Sequence, residues 1–285
     1  MRIDVNGNPL EVEVLGAGGA PAMIVHHGAP GLGSRAEPRR AFAAFADSLR
    51  VVVFDARGSG HSGLAPPFTH EQWVADVDAL REHLGAEVMV MAGGSYGGFI
   101  AMEYTLRHPG RVSALVLRDT AAHRGFDEAA RRNALNSPRV DVDRDRYDRI
   151  MSGRCVDDAD LESGWREIVP LYDHDLDPAR VEARLASTVY HAATHNWAFA
   201  ENMPRYDVRS RLAEIRCPTL ITVGRHDWIT PVAASEEIAS LIPDARLVVF
   251  EESGHSPQLE EPERFQRVVR DFLIEAGVIA PAAAG

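Results

Sequence analysis

Apolar residues along this chain occur in short runs that alternate with longer amphipathic segments. Residues 2–5 and 10–14 alternate with period two on either side of Asn6-Gly7, a pattern that predicts an antiparallel hairpin. The other predicted strands are residues 22–25, 51–54, 88–92, 112–117, 220–223 and 247–250. The predicted helices among them are residues 36–49, 71–84, 96–108, 233–241 and 262–276. This alternation predicts an α/β fold whose mostly parallel, eight-stranded sheet is flanked by helices.

Strand patterns are absent from residues 121–215, where charged, helix-compatible segments take over. The predicted helices in this part are residues 127–136, 145–151, 157–169 and a long helix over 178–200. We therefore divide the chain into a core, residues 1–120 and 216–285, and a helical cap, residues 121–215. Open α/β sheets bind ligands at the carboxyl ends of their strands, so we expect the cap to cover that edge.

A serine stands in a glycine-rich turn between the predicted strand 88–92 and the helix that follows it. Gly93-Gly94-Ser95-Tyr96-Gly97 fits Gly-x-Ser-x-Gly, the pattern of a sharp turn that holds a nucleophilic serine in a strained conformation. The free N–H groups at the start of the next helix favour an anion beside Ser95. Ser95 is therefore the candidate nucleophile, and a glycine-rich turn with an incidental serine is the alternative.

A serine nucleophile needs a base, and the base needs a third group that orients it. His255 follows the last predicted strand in a free loop, which makes it the candidate base. Asp227 follows the seventh strand and gives the chain order Ser, Asp, His that accompanies this type of turn; Asp119, after the sixth strand, is the alternative acid. The predicted oxyanion donors are the N–H groups of Tyr96 and of Ala29 in the loop after the third strand.

Composition and charge exclude several kinds of chemistry. The 285 residues carry a net charge of −12, which disfavours nucleic acid or an anionic membrane as a partner. All 30 of the lysine and arginine residues are arginine, so a lysine nucleophile, a Schiff base and a Walker A loop are excluded. Cys155 and Cys217 lie far apart and no metal-ligand spacing occurs, so we expect no metal and no cofactor.

The sequence has neither an apolar leader nor a long apolar run, so we expect a cytoplasmic protein. We expect its substrate to be a small molecule or a short peptide.

A second glycine-rich loop, residues 58–63, fits the pattern Gly-x-Gly-x-x-Gly of dinucleotide-binding proteins. In those proteins the loop opens directly into a helix, whereas Pro66 and Pro67 follow it here. We therefore expect this loop to have a structural role.

Five motifs, in this order, resemble the α/β-hydrolase fold and, within it, the proline iminopeptidase (prolyl aminopeptidase) group. They are residues 27–31, 55–62, 93–98, 224–227 and 253–255. The resemblance implies a cofactor-free serine hydrolase with an acyl-enzyme intermediate, acting as an aminopeptidase or amidase. A carboxylesterase or lactonase is the alternative on the same fold; an acyltransferase and a non-catalytic ligand receptor are further ones.

Iminopeptidases hold the free amine of the substrate with carboxylates of the cap. Glu201 is the candidate for this contact because it follows an aromatic stretch, residues 190–199, in which rings such as Trp197 could line a pocket. Aromatic residues at helical spacing are also typical of a packed core, which is the alternative. The Trp-x-x-Trp-Glu signature of true iminopeptidases is absent, so esters, lactones and other amides remain open as substrates.

Overall fold

The computed structural model of this protein describes residues 1–281 and joins the predicted strands in one sheet. The strand order across the sheet is β1-β2-β4-β3-β5-β6-β7-β8. β1 and β2 pair antiparallel, as do β2 and β4, and all other neighbours are parallel. The strands are β1 Arg2–Val5, β2 Asn8–Leu15, β3 Ala22–His26, β4 Arg50–Phe54, β5 Met89–Gly94, β6 Val112–Arg118, β7 Thr219–Gly224 and β8 Ala245–Phe250. The predicted fold class, an α/β fold with a mostly parallel eight-stranded sheet, is confirmed.

Helices cover both faces of the sheet. They are α1 Ala36–Phe42, α2 His70–His83, α3 Tyr96–Arg107, α9 Val232–Leu241, α10 Pro257–Glu260 and α11 Pro262–Glu275. Alternate residues of β5 point to opposite layers: Met89 and Met91 pack in the cluster with α2, α3 and α9, and Val90 and Ala92 pack in the cluster with α1 and α11. Since both faces are buried, the central strands are continuous apolar runs rather than alternating ones.

Between β6 and β7 the chain forms helices, and we call residues 121–215 the helical insertion. Its α-helices are α4 Asp127–Leu135, α5 Arg144–Met151, α6 Asp158–Ile168, α7 Pro178–Ala186 and α8 Ala192–Trp197. They pack around an apolar cluster of their own, which Leu32 and Trp228 join from the sheet side. Within residues 1–281, no helix is both long and apolar enough to cross a membrane.

The prediction of one long helix over residues 178–200 is wrong. α7 ends at Ala186, α8 begins at Ala192, and a π-helical turn, Ala198–Asn202, follows. The hydroxyl groups of Ser187 and Thr188 both donate to the carbonyl oxygen of Arg184, at 3.0 and 2.9 Å. These bonds satisfy the end of α7 locally and compete with continued helix. The helix predicted over residues 36–49 is likewise shorter, since α1 ends at Phe42 and 3₁₀ turns follow over Ala43–Asp47.

Candidate active site

Ser95 lies at the centre of the sheet, in the turn between β5 and α3. Its backbone angles, φ 53° and ψ −126°, are in a region that non-glycine residues rarely occupy. A Cβ on Gly93 would lie 2.2 Å from the carbonyl oxygen of Gly97, and one on Gly97 would lie 2.4 Å from that of His26. The turn therefore requires glycine at both positions, and it fixes the conformation of Ser95.

The loops that follow β3, β6, β7 and β8 meet around Ser95 at the carboxyl edge of the sheet. Ala29 and Tyr96, the predicted oxyanion donors, both line a cavity that Ser95 also lines. Tyr96 is the first residue of α3, where a backbone N–H has no acceptor within the helix. The Tyr96 hydroxyl lies away from this role, since it bonds His70 Nε2 at 2.7 Å. The structure thus brings both residues to the cavity at Ser95, and the role of their N–H groups in binding an oxyanion stays a prediction.

Asp227 and His255 form a buried pair. Asp227 Oδ2 lies 2.7 Å from His255 Nδ1 and also accepts a hydrogen bond from Thr230 Oγ1 at 2.8 Å. Asp227 Oδ1 accepts from the backbone N–H groups of Ile229 and Thr230, at 2.9 and 3.0 Å. Burial acts to lower the pKa of His255, but the charge and hydrogen bond of Asp227 outweigh burial and raise that pKa above its ordinary value.

The helical insertion also contacts His255. The His255 backbone N–H donates to the carbonyl oxygen of Tyr172 at 2.7 Å, and the two rings meet edge to face with centroids 5.1 Å apart. His255 Nε2 is buried and has no hydrogen-bond partner within residues 1–281. The ring is therefore held on its Nδ1 side and by its backbone, while Nε2 is left available.

Asp119, the alternative acid, is buried beside this pair, and one atom each of Asp119, Asp227 and His255 lies within 4.8 Å of the others. Its Oδ1 accepts from the Gly224 N–H at 3.0 Å. Its Oδ2 is 3.5 Å from Arg118 Nη1 without a hydrogen bond. Burial, followed by the nearby charge of Asp227, raises the pKa of Asp119 to about 7. The close contact to His255 Nδ1 thus comes from Asp227 and not from Asp119.

Two cavities meet at Ser95, and their linings differ in character. We call them the polar cavity and the apolar cavity; Ala29, Leu32, Ser95, Trp165 and Tyr172 line both. The polar cavity, about 110 Å³, is also lined by Glu37, Arg40, Arg118, Arg184, Ser187, Thr188, His255, Ser256 and Gln258. The apolar cavity, about 60 Å³, is also lined by Phe99, Phe126, Ile150, Met151, Ile168, His195, Phe199, Met203 and Ile229, and its polar lining residues include His123, Arg124, Asp127 and Thr230. A substrate at Ser95 therefore has a neighbourhood rich in arginine on one side and a mostly apolar one on the other.

The structure does not bring Trp197 and Glu201 to either cavity. Trp197 is 46% exposed, and Glu201 forms an exposed ion pair with Arg205 at 3.1 Å. His195 and Phe199 line the apolar cavity instead, with rings stacked 4.3 Å apart. Residues two positions apart on a helix face opposite sides, so a turn that directs His195 and Phe199 inward directs Trp197 and Glu201 outward. The expectation that these two side chains line a substrate pocket finds no support in this geometry.

Sequence reasoning missed the charged residues of the polar cavity. Glu37 Oε1 accepts from Arg118 Nη2 at 2.6 Å and from Gln258 Nε2 at 2.8 Å. Arg118 ends the apolar strand β6, and a charge at the carboxyl end of a buried strand was a usable signal for it. Arg184 lies in a helix of mixed charge, which offers no such signal.

Comparison with known proteins gives a consistent class of relatives. A family model described as the α/β hydrolase fold matches residues 21–262. A proline iminopeptidase of Pestalotiopsis fici is 32% identical over 95% of this chain and 98% of its own length. A 2-hydroxymuconate semialdehyde hydrolase of Pseudomonas sp. (strain CF600) is 30% identical over 92% of this chain and 89% of its own length. A malate-bound thermophilic esterase from Thermogutta terrifontis matches with a TM-score of 0.76 and 28% identity, over 97% of this chain and 98% of that one. These relatives agree on hydrolysis and differ in the bond that is cleaved.

Proposed function

This chain belongs to the α/β-hydrolase fold family, and from that premise we propose that it is a serine hydrolase. Ser95 is the nucleophile, His255 the general base and Asp227 the acid that orients His255. The observation that carries the proposal is the buried 2.7 Å contact between Asp227 Oδ2 and His255 Nδ1, beside a serine in a strained turn. It fixes the imidazole with Nδ1 as the donor, which leaves Nε2 to accept a proton.

In the proposed reaction, Ser95 Oγ attacks the acyl carbon while its proton passes to His255 Nε2. The N–H groups of Ala29 and Tyr96 bind the oxyanion that forms, and His255 then donates its proton to the leaving group. Water, activated by the same histidine, releases the acyl group from Ser95. We also propose that the helical insertion acts as a cap, since its residues Trp165 and Tyr172 line both cavities.

The charges around Ser95 favour an ester or lactone as the substrate over a peptide with a free amine. Among residues 1–281, the carboxylates that line the two cavities belong to Glu37 and Asp127. Each is already paired with an arginine: Glu37 with Arg118 at 2.6 Å, and Asp127 with Arg124 at 2.7 Å. A protonated amine that is buried without a carboxylate partner costs several kcal/mol. We therefore favour a carboxylesterase or lactonase.

An aminopeptidase of proline iminopeptidase type is the second candidate, and the relative at 32% identity favours it. The two candidates differ in their need for a free amine. If the protein is an esterase or lactonase, an amino-acyl p-nitroanilide and its N-acetylated form should be cleaved at similar rates, and both rates should be low compared with that of a p-nitrophenyl ester. Strong preference for the free amine would favour the aminopeptidase. Glu201→Gln should leave KM unchanged for all three substrates, because Glu201 is exposed and paired with Arg205.

Active-site labelling tests the proposed nucleophile. A fluorophosphonate should label the wild-type protein stoichiometrically at Ser95, and Ser95→Ala should abolish both labelling and turnover while leaving the unfolding transition in place. The physical reason is that the variant lacks the attacking oxygen but keeps the glycines of the turn. Labelling at another residue in Ser95→Ala would contradict the proposal.

A further inference from the structure

The polar cavity concentrates positive charge in a chain whose net charge is −12. Its charged lining residues, apart from His255, are Arg40, Arg118, Arg184 and Glu37. Arg118 already neutralises Glu37, through the 2.6 Å contact between Nη2 and Oε1. Arg40 has no ion pair or side-chain hydrogen bond within residues 1–281, and it is exposed at the edge of the cavity. The positive charge next to a ligand in this cavity therefore comes from Arg40 and Arg184.

Arg184 has a buried donor that nothing in the described chain accepts. Its Nη2 donates to Asp173 Oδ1 at 3.1 Å and to Ser256 Oγ at 3.0 Å. Its Nη1 is buried and has no hydrogen-bond partner within residues 1–281. Asp173 also pairs with Arg180, whose Nε lies 2.9 Å from Oδ2, so one carboxylate is shared between two guanidinium groups. A positive charge thus remains at the cavity wall.

Trp165, which also lines the cavity, has a donor that is unpartnered in the described chain as well. Trp165 Nε1 is buried without a hydrogen-bond acceptor in residues 1–281. Buried donors in native proteins nearly always have partners, and a donor without one calls for a ligand or ordered water. Two vacant donors, one of them cationic, match an acceptor with negative charge. A carboxylate fits better than a neutral carbonyl, because a hydrogen bond from a cationic donor is stronger when the acceptor is also charged.

Resting on the proposed function, we propose that the polar cavity is a carboxylate subsite and that the substrate is an ester or lactone carrying a free carboxylate. Arg184 binds the carboxylate, and Arg40 adds positive charge at the edge of the cavity. Because Ser95 lines both cavities, the carboxylate lies on one side of the scissile bond and an apolar group occupies the apolar cavity on the other.

Two esters with acyl chains of equal length test this: the p-nitrophenyl monoester of adipate, which is anionic, and p-nitrophenyl hexanoate, which is neutral. The wild-type protein should prefer the adipate ester in kcat/KM. Arg184→Gln should reduce that preference by roughly 10- to 100-fold, the range for losing a hydrogen bond to a charged group. Arg184→Lys should keep part of the preference, since it keeps the charge but not the planar fork.

Arg180→Gln is the matched control, because Arg180 pairs with the same aspartate from the same helix but does not line the cavity. It should lower the preference less than Arg184→Gln does, because it releases Asp173 to Arg184 but leaves the guanidinium group of Arg184 in place. If Arg184→Gln does not fold, the wild-type protein still tests the carboxylate subsite. Free adipate should slow the labelling of Ser95 by a fluorophosphonate, and 1,6-hexanediol, the neutral diol of equal length, should not.

The failures of the two proposals are distinguishable. If Ser95 is labelled and the hexanoate ester is cleaved, but the adipate ester is not preferred and adipate gives no protection, the carboxylate subsite is wrong and the serine hydrolase stands. An equal loss of preference in Arg180→Gln and Arg184→Gln would also overturn the subsite, since it would mean that the helix rather than the guanidinium group matters. If Ser95 is not labelled and neither ester is cleaved, the proposed function itself fails.

Discussion

Replacing Asp227 by asparagine probes the orientation of His255 with almost no change in shape. Asp227 Oδ1 accepts two backbone N–H groups, from Ile229 and Thr230. The amide oxygen of the asparagine must keep that position, so its NH₂ group takes the place of Oδ2, 2.7 Å from His255 Nδ1. Because the NH₂ group donates, Nδ1 must accept, and the imidazole proton moves to Nε2. The variant therefore presents a protonated Nε2 to Ser95, which is the wrong tautomer for a base.

We expect Asp227→Asn to lower kcat/KM for p-nitrophenyl hexanoate by about 10³- to 10⁴-fold. This corresponds to about 4 to 5 kcal/mol of activation free energy. The rate of fluorophosphonate labelling should fall in parallel, because it depends on the same proton transfer from Ser95. Stopped-flow release of p-nitrophenol measures the acylation step directly, and urea unfolding of the variant shows whether the fold is retained.

Asp119→Asn is the matched control, since Asp119 is equally buried but forms no hydrogen bond with His255. Its Oδ1 accepts the Gly224 N–H and its Oδ2 has no hydrogen bond, so an asparagine can keep the one bond that exists. We expect a rate within about threefold of wild type. A large loss in Asp119→Asn together with a small loss in Asp227→Asn would refute the reasoning and assign the orienting role to Asp119.

Two further predictions follow from pKa shifts. Asp227 raises the pKa of His255, and the base must be neutral, so kcat/KM should fall on the acid side with a midpoint above 6.5; a midpoint below 6.5 in a pH–rate profile would contradict this. The pKa of Asp119 rises from 3.8 to about 7 on folding, so the folded state binds more protons than the unfolded state between these pH values. The free energy of unfolding should therefore decrease as the pH rises through this range. Asp119→Asn should reduce this decrease in urea unfolding measured at pH 5 and pH 8, and an unchanged difference between the two pH values would refute the assignment.

The sheet and its half of the site were predictable because their determinants are local. Each central strand is buried on both faces, so its sequence is a continuous run of residues without charge, such as Met89–Gly94. The turn at Ser95 needs glycine at Gly93 and Gly97 for steric reasons that hold in any sequence. Parallel strands place their carboxyl ends on one edge, so residues that follow β5, β7 and β8 come together there. The proximity of Asp227 and His255 is therefore implied by their positions after strands.

The inner surface of the helical insertion was not predictable in this way. Its amphipathic helices pack their apolar faces against one another, so the period of the pattern does not say which polar side chains border the cavities. Arg180 and Arg184 share Asp173 and lie one turn apart, yet only Arg184 lines the polar cavity. The break after Ala186 also ends the helical period, so that period cannot be carried across to residues 192–202 to predict which of them face inward. Trp197 and Glu201 were chosen because they belong to or follow an aromatic stretch, and both face outward.

His255 links the predictable and the unpredictable halves of the site. Its side chain is held by Asp227 from the sheet, whereas its backbone N–H is held by the Tyr172 carbonyl from the insertion, each at 2.7 Å. Tyr172 also lines both cavities, so one residue of the insertion contacts the candidate base and borders the space for substrate. A movement of the insertion that displaced the Tyr172 backbone would break the hydrogen bond to the His255 backbone and leave, of these two contacts, the one from Asp227. Any opening that admits substrate must therefore leave Tyr172 in place if both contacts to His255 are to persist.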